Sequence, residues 1–328
     1  MTTGTVSARS GLAGWLKYRR GVLVVTGLMV MFPFVISLVV DGQGIGAVIA
    51  NDQGNARFLQ GLAIEIFILA LYAISYDLIL GVTGLLSFGH AMFFAVGAYG
   101  FGIALKSLEL HWIMALVVVL IAALIQAALF AIVLPRVKGI TFALVTLGFA
   151  SVFWIVIRSS DLADYAGAEI GLQGVRPPVF FLDTTNERFI FYLVVLGLVA
   201  LTYVVYTRIV DSPTGKVLHA IRENEDRALM LGYNTFYFKL LALVVASITA
   251  ALAGVIHALH QPIVAPEVAG LGWTVTALLI ILIGGVGTVS GAIVGAAVFR
   301  LLQFYLDKWF GGASSLLIGL AYIMLVLY

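Results

Sequence analysis

Residues 113–134 read IMALVVVLIAALIQAALFAIVL, a run without a single charge in which Gln126 is the only polar side chain. A helix needs about 20 mainly apolar residues to cross the hydrocarbon of a bilayer. This stretch is long enough, and Arg136 and Lys138 follow it as a stop. The same window moved outward in both directions finds further spans. Before it lie Gly21–Val40, Phe58–Leu80 and Ala91–Leu105. After it come Gly139–Ile157, Phe189–Tyr206, Tyr237–Ala258, the short Trp273–Ile283 and Gly291–Tyr305. A tenth begins near Ser314 and is still apolar at Tyr328. The expected fold is therefore all-α, a polytopic transmembrane bundle of about ten helices.

Composition supports this. Of 328 residues, 62% are hydrophobic and 10% charged, against about 25% charged in a soluble domain. The polar residues are too few to cover a globule of this size, so the outer surface faces hydrocarbon. A formal charge of +2 gives no argument for nucleic acid, and without cysteine there is no disulfide or thiolate chemistry. An intramembrane enzyme is disfavoured too: beyond the missing cysteine there is no H-E-x-x-H and no G-x-S-x-G.

Orientation follows from basic residues, which are retained on the cytoplasmic side. Lys17, Arg19 and Arg20 place segment 1–20 inside, and the first span lacks a small-residue cleavage pattern, so it is expected to be retained. Alternation then puts Arg136, Lys138, Arg208, Lys216, Arg222, Arg227 and Lys239 inside. It puts Asp41, Asp52, Asp161, Asp164, Glu169, Asp183, Glu187 and Glu267 outside. Residues 158–188, with Pro177 and Pro178, form a long external loop, and residues 207–236 a cytoplasmic one within the permease domain 21–328.

The cytoplasmic loop is dense in charge, with eight acidic and basic residues between Thr207 and Phe238. One or two short helices are expected: Ser212 suits a cap, Pro213 a first helical position and Gly232 a left-handed terminus. Val217, Leu218 and Ile221 share one face, with Lys216, His219, Arg222 and Glu223 around the rest. Two readings follow from physics alone. One is a solvated amphipathic helix at the headgroups; the other packs on its own bundle and offers a charged rim to a partner.

Gly81, Gly84, Ser87, Gly89 and His90 interrupt the apolar pattern between the second and third spans, and Gly284, Gly285 and Gly287 follow the short eighth span. Such glycines serve close helix packing or unwound backbone along a transport pathway. Gly287-Thr288-Val289-Ser290 echoes Gly84-Leu85-Leu86-Ser87, either as paired elements around a pathway or as a chance match in a Gly-rich chain. Inside spans, Glu65 and Arg300 are expected to make inward polar contacts, whereas Asp77 suits the cytoplasmic interface. His257 and His260 lack a nearby third ligand for a metal.

Four stretches resemble the permease subunits of branched-chain amino acid ABC transporters. They are SPTGKVLHAIRENE (212–225) with Leu231-Gly232, DLILGVTGLLSFGHAMFF (77–94), KGITFALVTL (138–147) and GGVGT (284–288). The likeness covers about residues 58–328. It departs at Asp77, where many members carry Asn, and at Thr214, where an aromatic is common. The resemblance implies helix-in-groove docking of the cytoplasmic loop on an ATPase subunit, through Gly215, Arg222, Glu223 and Glu225 with Val217, Leu218 and Ile221 as its apolar face. The broken helices place the expected pathway by Gly84, Ser87, Gly89, His90, Gly284, Gly285 and Gly287. The chain has no G-x-x-x-x-G-K-[ST] phosphate loop, so ATP and Mg are expected on two partner ATPase subunits, with no catalytic, cofactor or metal site here. A second homologous permease and a periplasmic or lipid-anchored binding protein are the other implied partners, in a bacterial or archaeal plasma (inner) membrane. The implied cargo is branched-chain or other hydrophobic amino acids, with urea or short amides as the alternative. A channel or ion-coupled carrier would also use Gly-broken helices but would need no charged docking helix.

Overall fold

A computed structural model describes residues 20–39, 42, 46, 48, 54–137, 139–175, 177–313, 316–320 and 323. Lys17, Arg19, Asp41, Asp52 and Lys138, and most of the tenth expected span, lie outside the described residues. The described helices are α1 (Arg20–Val39), α2 (Asn55–Asp77), α3 (His90–Lys106), α4 (Trp112–Val133), α5 (Ile140–Arg158), α6 (Ala163–Ala166), α7 (Arg188–Asp211), α8 (Pro213–Glu223), α9 (Glu225–Met230), α10 (Thr235–His260), α11 (Leu271–Gly284) and α12 (Val289–Phe310). Six of them, α2, α4, α5, α7, α10 and α12, are long and apolar enough to cross a membrane, while α1, α3 and α11 add shorter apolar stretches. All nine coincide with the expected spans to within a few residues, because a run that must stay apolar over the bilayer thickness is a strong signal.

Burial sorts the helices. Within its apolar window α2 is 83% buried and α10 61%, against 28% for α5, so α2 and α10 form the centre and α5 the rim. The rim exposes large aliphatic side chains such as Ile125, Ile132, Leu144 and Ile155, as hydrocarbon contact requires. α10 lies along α3, α4 and α2, while α2 also packs on α12 and α7. The α3–α10 contact is close because Gly97 abuts the Ala251 carbonyl and Gly254 the Phe94 carbonyl. Small residues that let backbones approach are how helices associate in lipid, where the hydrophobic effect between them is absent.

Two spans are broken. α2 ends in a π-helical turn, Leu78–Val82, in which Thr83 donates both its N–H and its hydroxyl to the Leu78 carbonyl, at 3.1 and 2.8 Å. Residues 84–89 then run as non-helical backbone to α3, whose first residue His90 bonds to Ser75 of α2. At about 1.5 Å per residue that restart lies about 10 Å deeper than Val82. Irregular backbone at such depth survives only inside protein, and Ser87 and His90 are fully buried. Thr274 of α11 secures the restart: its Oγ1 accepts from Ala91 N at 3.0 Å and donates to the Phe88 carbonyl at 3.1 Å. The second break is the turn 285–288 between α11 and α12, whose packing brings Gly284 against Gly291.

The helix ends separate into two faces. One carries α8, α9 and the π-turn. The other carries the loop between α5 and α7, tied down by the two-residue ladder Leu172–Gln173 with Ile263–Val264, by Tyr99 Oη on the Val264 carbonyl (2.8 Å), and by Thr184 on the Leu259 carbonyl (3.2 Å).

Candidate functional site

On the first face, α7 passes into α8 through Ser212, whose Oγ accepts from Gly215 N at 3.2 Å with Pro213 at the first helical position. Asn224 then caps α9, its Oδ1 accepting from Arg227 N at 2.9 Å, and Gly232 ends the pair at a left-handed φ of 90°. Two short helices therefore form where local signals place them. Gly215 lies against the Ile209 and Val210 carbonyls. Leu218 enters the main core, while Val217 and Ile221 make a small cluster with Ala228 and Phe238. Glu225 turns to its own chain, 2.5 Å from Lys239 Nζ and 3.0 Å from Thr235 Oγ1. These five residues brace α8 and α9 against the bundle.

What the two helices offer outward is different. Glu223 is exposed, and beyond the charged run stands an apolar tip: Leu229 47%, Met230 87%, Leu231 70% and Tyr233 43% exposed. In the sequence only Leu231-Gly232 of this tip stands out, as part of the family resemblance. Its signal was present, since Leu-Met-Leu followed by Gly-Tyr at the end of a charged loop is apolar surface with no role in a water-facing turn.

The seventh residue, Arg222, reaches into the bundle. Its Nη1 donates to the Gly81 carbonyl inside the π-turn. Gly84, at φ 78°, lies directly under the same side chain, where a Cβ would stand 2.9 Å from Arg222 Cγ. Gly287, at φ 84°, packs against Gly81, and its N–H donates to Asp77 Oδ1 at 2.7 Å. Asp77 is 1% exposed. The Gly-x-x-Ser echo thus begins, both times, at a left-handed glycine of a helix break, and the two breaks meet beneath Arg222. Only glycine takes this backbone without strain.

The remaining pathway residues are dispersed. Gly285 belongs to the second break at φ 102°, and Gly284 to the α11–α12 contact. Gly89 lies deeper, against the Thr146 carbonyl of α5 and the Phe130 ring. His90 Nε2 is 2.8 Å from Ser75 Oγ, with the His90 ring packed among Tyr72, Tyr76 and Phe93.

Toward the second face a cavity of about 270 Å³ opens between α2, α10, α11 and α12. Arg300 Nε donates to Glu65 Oε2 at 2.6 Å, so the two intramembrane charges expected to find inward partners find each other. A larger groove of about 460 Å³ between α1, α2, α7 and α12 is lined almost wholly by aliphatic and aromatic side chains.

Apolar spans, two breaks that meet inside the protein, and a helical loop levered onto them define a multi-pass membrane transport component. The chain belongs to the family described as branched-chain amino acid transport system / permease component, whose model matches residues 58–328. It is 26% identical to the high-affinity branched-chain amino acid transport system permease protein LivM of Escherichia coli, over 79% of this chain and 65% of that protein. It is 27% identical to the LivM protein of Salmonella typhimurium, over 81% and 68%. The permease protein LivH of Escherichia coli is 22% identical over 79% and 88%. The chain thus spans about two thirds of the length of these two LivM relatives. No solved structure matches it.

Proposed function

We propose that this chain is one permease half of an ATP-driven importer of branched-chain amino acids in a bacterial or archaeal plasma membrane. The observation that carries the reading is Arg222: a side chain rooted in the short amphipathic helix α8 ends on the joint of two broken spans. A push on α8 therefore reaches the π-turn that leads into the buried irregular backbone of residues 84–89. The apolar tip Leu229–Tyr233 gives a partner ATPase an anchor, surrounded by the charges of Glu223 and Arg227. ATP and Mg would be bound by that partner, and nucleotide-driven closure would rock α2–α3 against α11–α12 for alternating access. LivM and LivH of Escherichia coli are both permease proteins named for a high-affinity branched-chain amino acid transport system, which supports a second, homologous permease beside this one. A binding protein would deliver the amino acid to the outer face.

The test is Met230→Glu with Leu231→Glu in the assembled transporter. Both side chains are exposed, so the chain should insert and keep its Tm. Co-purification of ATPase subunits and uptake of leucine, isoleucine and valine should fall together. Full coupled uptake in the variant would overturn the docking role, and uptake of urea in place of the amino acids would overturn the cargo.

A further inference from the structure

The cavity near the second face has a lining that packing does not explain. Glu65 and Arg300 meet in it from within membrane-spanning helices. An ion pair in that position carries a desolvation cost, and apolar residues of similar volume hold two helices as well or better. The pair is also unsealed, each side chain keeping 22–23% of its surface open, and both line the cavity. Of the five N–H donors of a guanidinium, those of Arg300 go to Glu65 through Nε and Nη2 and to Gln303 Oε1 through Nη1 at 3.3 Å. Two are left without a partner among the described residues. The second oxygen of Glu65 receives only a long bond, 3.3 Å, from Gln261 Nε2, with His260 Nε2 at 4.0 Å. The indole N–H of Trp273, in the cavity wall, is buried and has no acceptor among the described residues. The rest of the wall includes the apolar Ile68, Leu69 and Phe299.

We infer that this cavity binds one aliphatic α-amino acid as a zwitterion, with its ammonium on Glu65, its carboxylate on Arg300 and its side chain against Ile68, Leu69 and Phe299. The inference rests on the reading of the chain as an amino acid permease and gives that reading a site. Empty, the pair neutralises itself; occupied, one ion pair is exchanged for two, so neither state buries an unpaired charge. About 270 Å³ falls just below the roughly 300–1,000 Å³ of pockets for drug-sized ligands, which suits a smaller solute.

The chain has no cysteine, so Thr276→Cys puts a lone thiol in the cavity wall. In the purified full-length chain, leucine should slow alkylation of that thiol. At the same concentration isocaproate, which lacks the ammonium, and isoamylamine, which lacks the carboxylate, should not. Adding Glu65→Gln and Arg300→Gln together keeps the shapes and leaves no lone buried charge. It should raise the leucine concentration needed for protection by about tenfold or more, the scale of a lost charge-assisted hydrogen bond. Unchanged protection in that variant, or equal protection by both analogues in the Thr276→Cys chain, overturns the inference. Should the triple variant fail to insert, the analogue pattern in the single variant still decides. No protection by leucine in a chain that still imports leucine within the assembled transporter removes the site and leaves the permease reading standing. A transporter that imports no branched-chain amino acid removes the reading itself.

Discussion

Asp77 accepts a hydrogen bond of 2.7 Å from the backbone N–H of Gly287, 210 residues later in the chain. One carboxylate oxygen thereby joins the end of α2 to the turn before α12, and Gly81 makes room for it: a Cβ at Gly81 would run into both the Asp77 carboxylate and the Gly287 backbone. The two broken spans meet because two glycines and an acceptor are brought together, not because either turn is stable alone.

Acceptor capacity, not charge, is what this bond needs. Asp77→Asn keeps an oxygen of the same reach and should hold Tm within a few degrees. Asp77→Leu fills the space but leaves the Gly287 N–H buried without a partner, at a cost of about 1–3 kcal/mol. Thermal unfolding of the purified variants measures this, and a Leu variant as stable as the Asn variant would remove the bond from the account.

Glu225 and Lys239 hold α9 to α10. Lys239 is 6% exposed and Glu225 21%, so removing the acid strands a buried ammonium. Glu225→Ala should cost about 2–3 kcal/mol, less than the full value for a sealed pair because Glu225 is partly solvated. Adding Lys239→Met should recover most of it, since a buried pair is replaced more cheaply than it is broken. Chemical denaturation of the single and double variants gives the comparison.

Asp183, in the loop between α5 and α7, responds to pH in a defined direction. Slight burial raises its pKa, but bonds from Asn186 N, Asn186 Nδ2 and Thr185 N outweigh that and leave it below the usual carboxylate value. A depressed folded pKa contributes stability above the unfolded value of about 3.9, lost as pH falls through the folded one. The Tm difference between the chain and Asp183→Asn should therefore be full at neutral pH and begin to close only below about pH 4. A difference that closed near neutrality would mean another group is responsible.

Much of this was legible in the sequence, and the limits have physical causes. Helix positions were readable because hydrocarbon demands long apolar runs, and Ser212-Pro213 marked the start of α8 because capping is local. The Gly-x-x-Ser echo marked both breaks but could not say that they touch. Direction was the weak point. On a short amphipathic helix the apolar face lies either at the headgroups or on the helix's own bundle, and periodicity is the same for both. Gly215, Val217, Leu218 and Ile221 took the second course, while Met230 and Leu231, which belong to no periodic pattern, were left outside. Glu65 and Arg300 were each marked as intramembrane charges; that they pair is a fact of packing between α2 and α12.

Arg222 separates docking from coupling. Its backbone stands in the last turn of α8 and its side chain is partly exposed, but one guanidinium N–H goes to the Gly81 carbonyl and its stem covers Gly84, so it ties α8 to the π-turn. Arg222→Ala should leave α8 in place, because Gly215, Val217, Leu218 and Ile221 hold the helix by packing that the substitution does not touch. ATPase subunits should therefore still co-purify. What is lost is the link from α8 to the joint of the two breaks, so uptake should fall by about tenfold or more for a lost charge-assisted contact, while basal ATP hydrolysis persists and its stimulation by substrate disappears. Arg222→Lys keeps the charge and the stem with a single compact donor in place of the guanidinium fork, and should recover part of the coupling. The opposite pattern, loss of co-purification with normal coupling in whatever complex survives, would make Arg222 a docking residue and place the lever elsewhere.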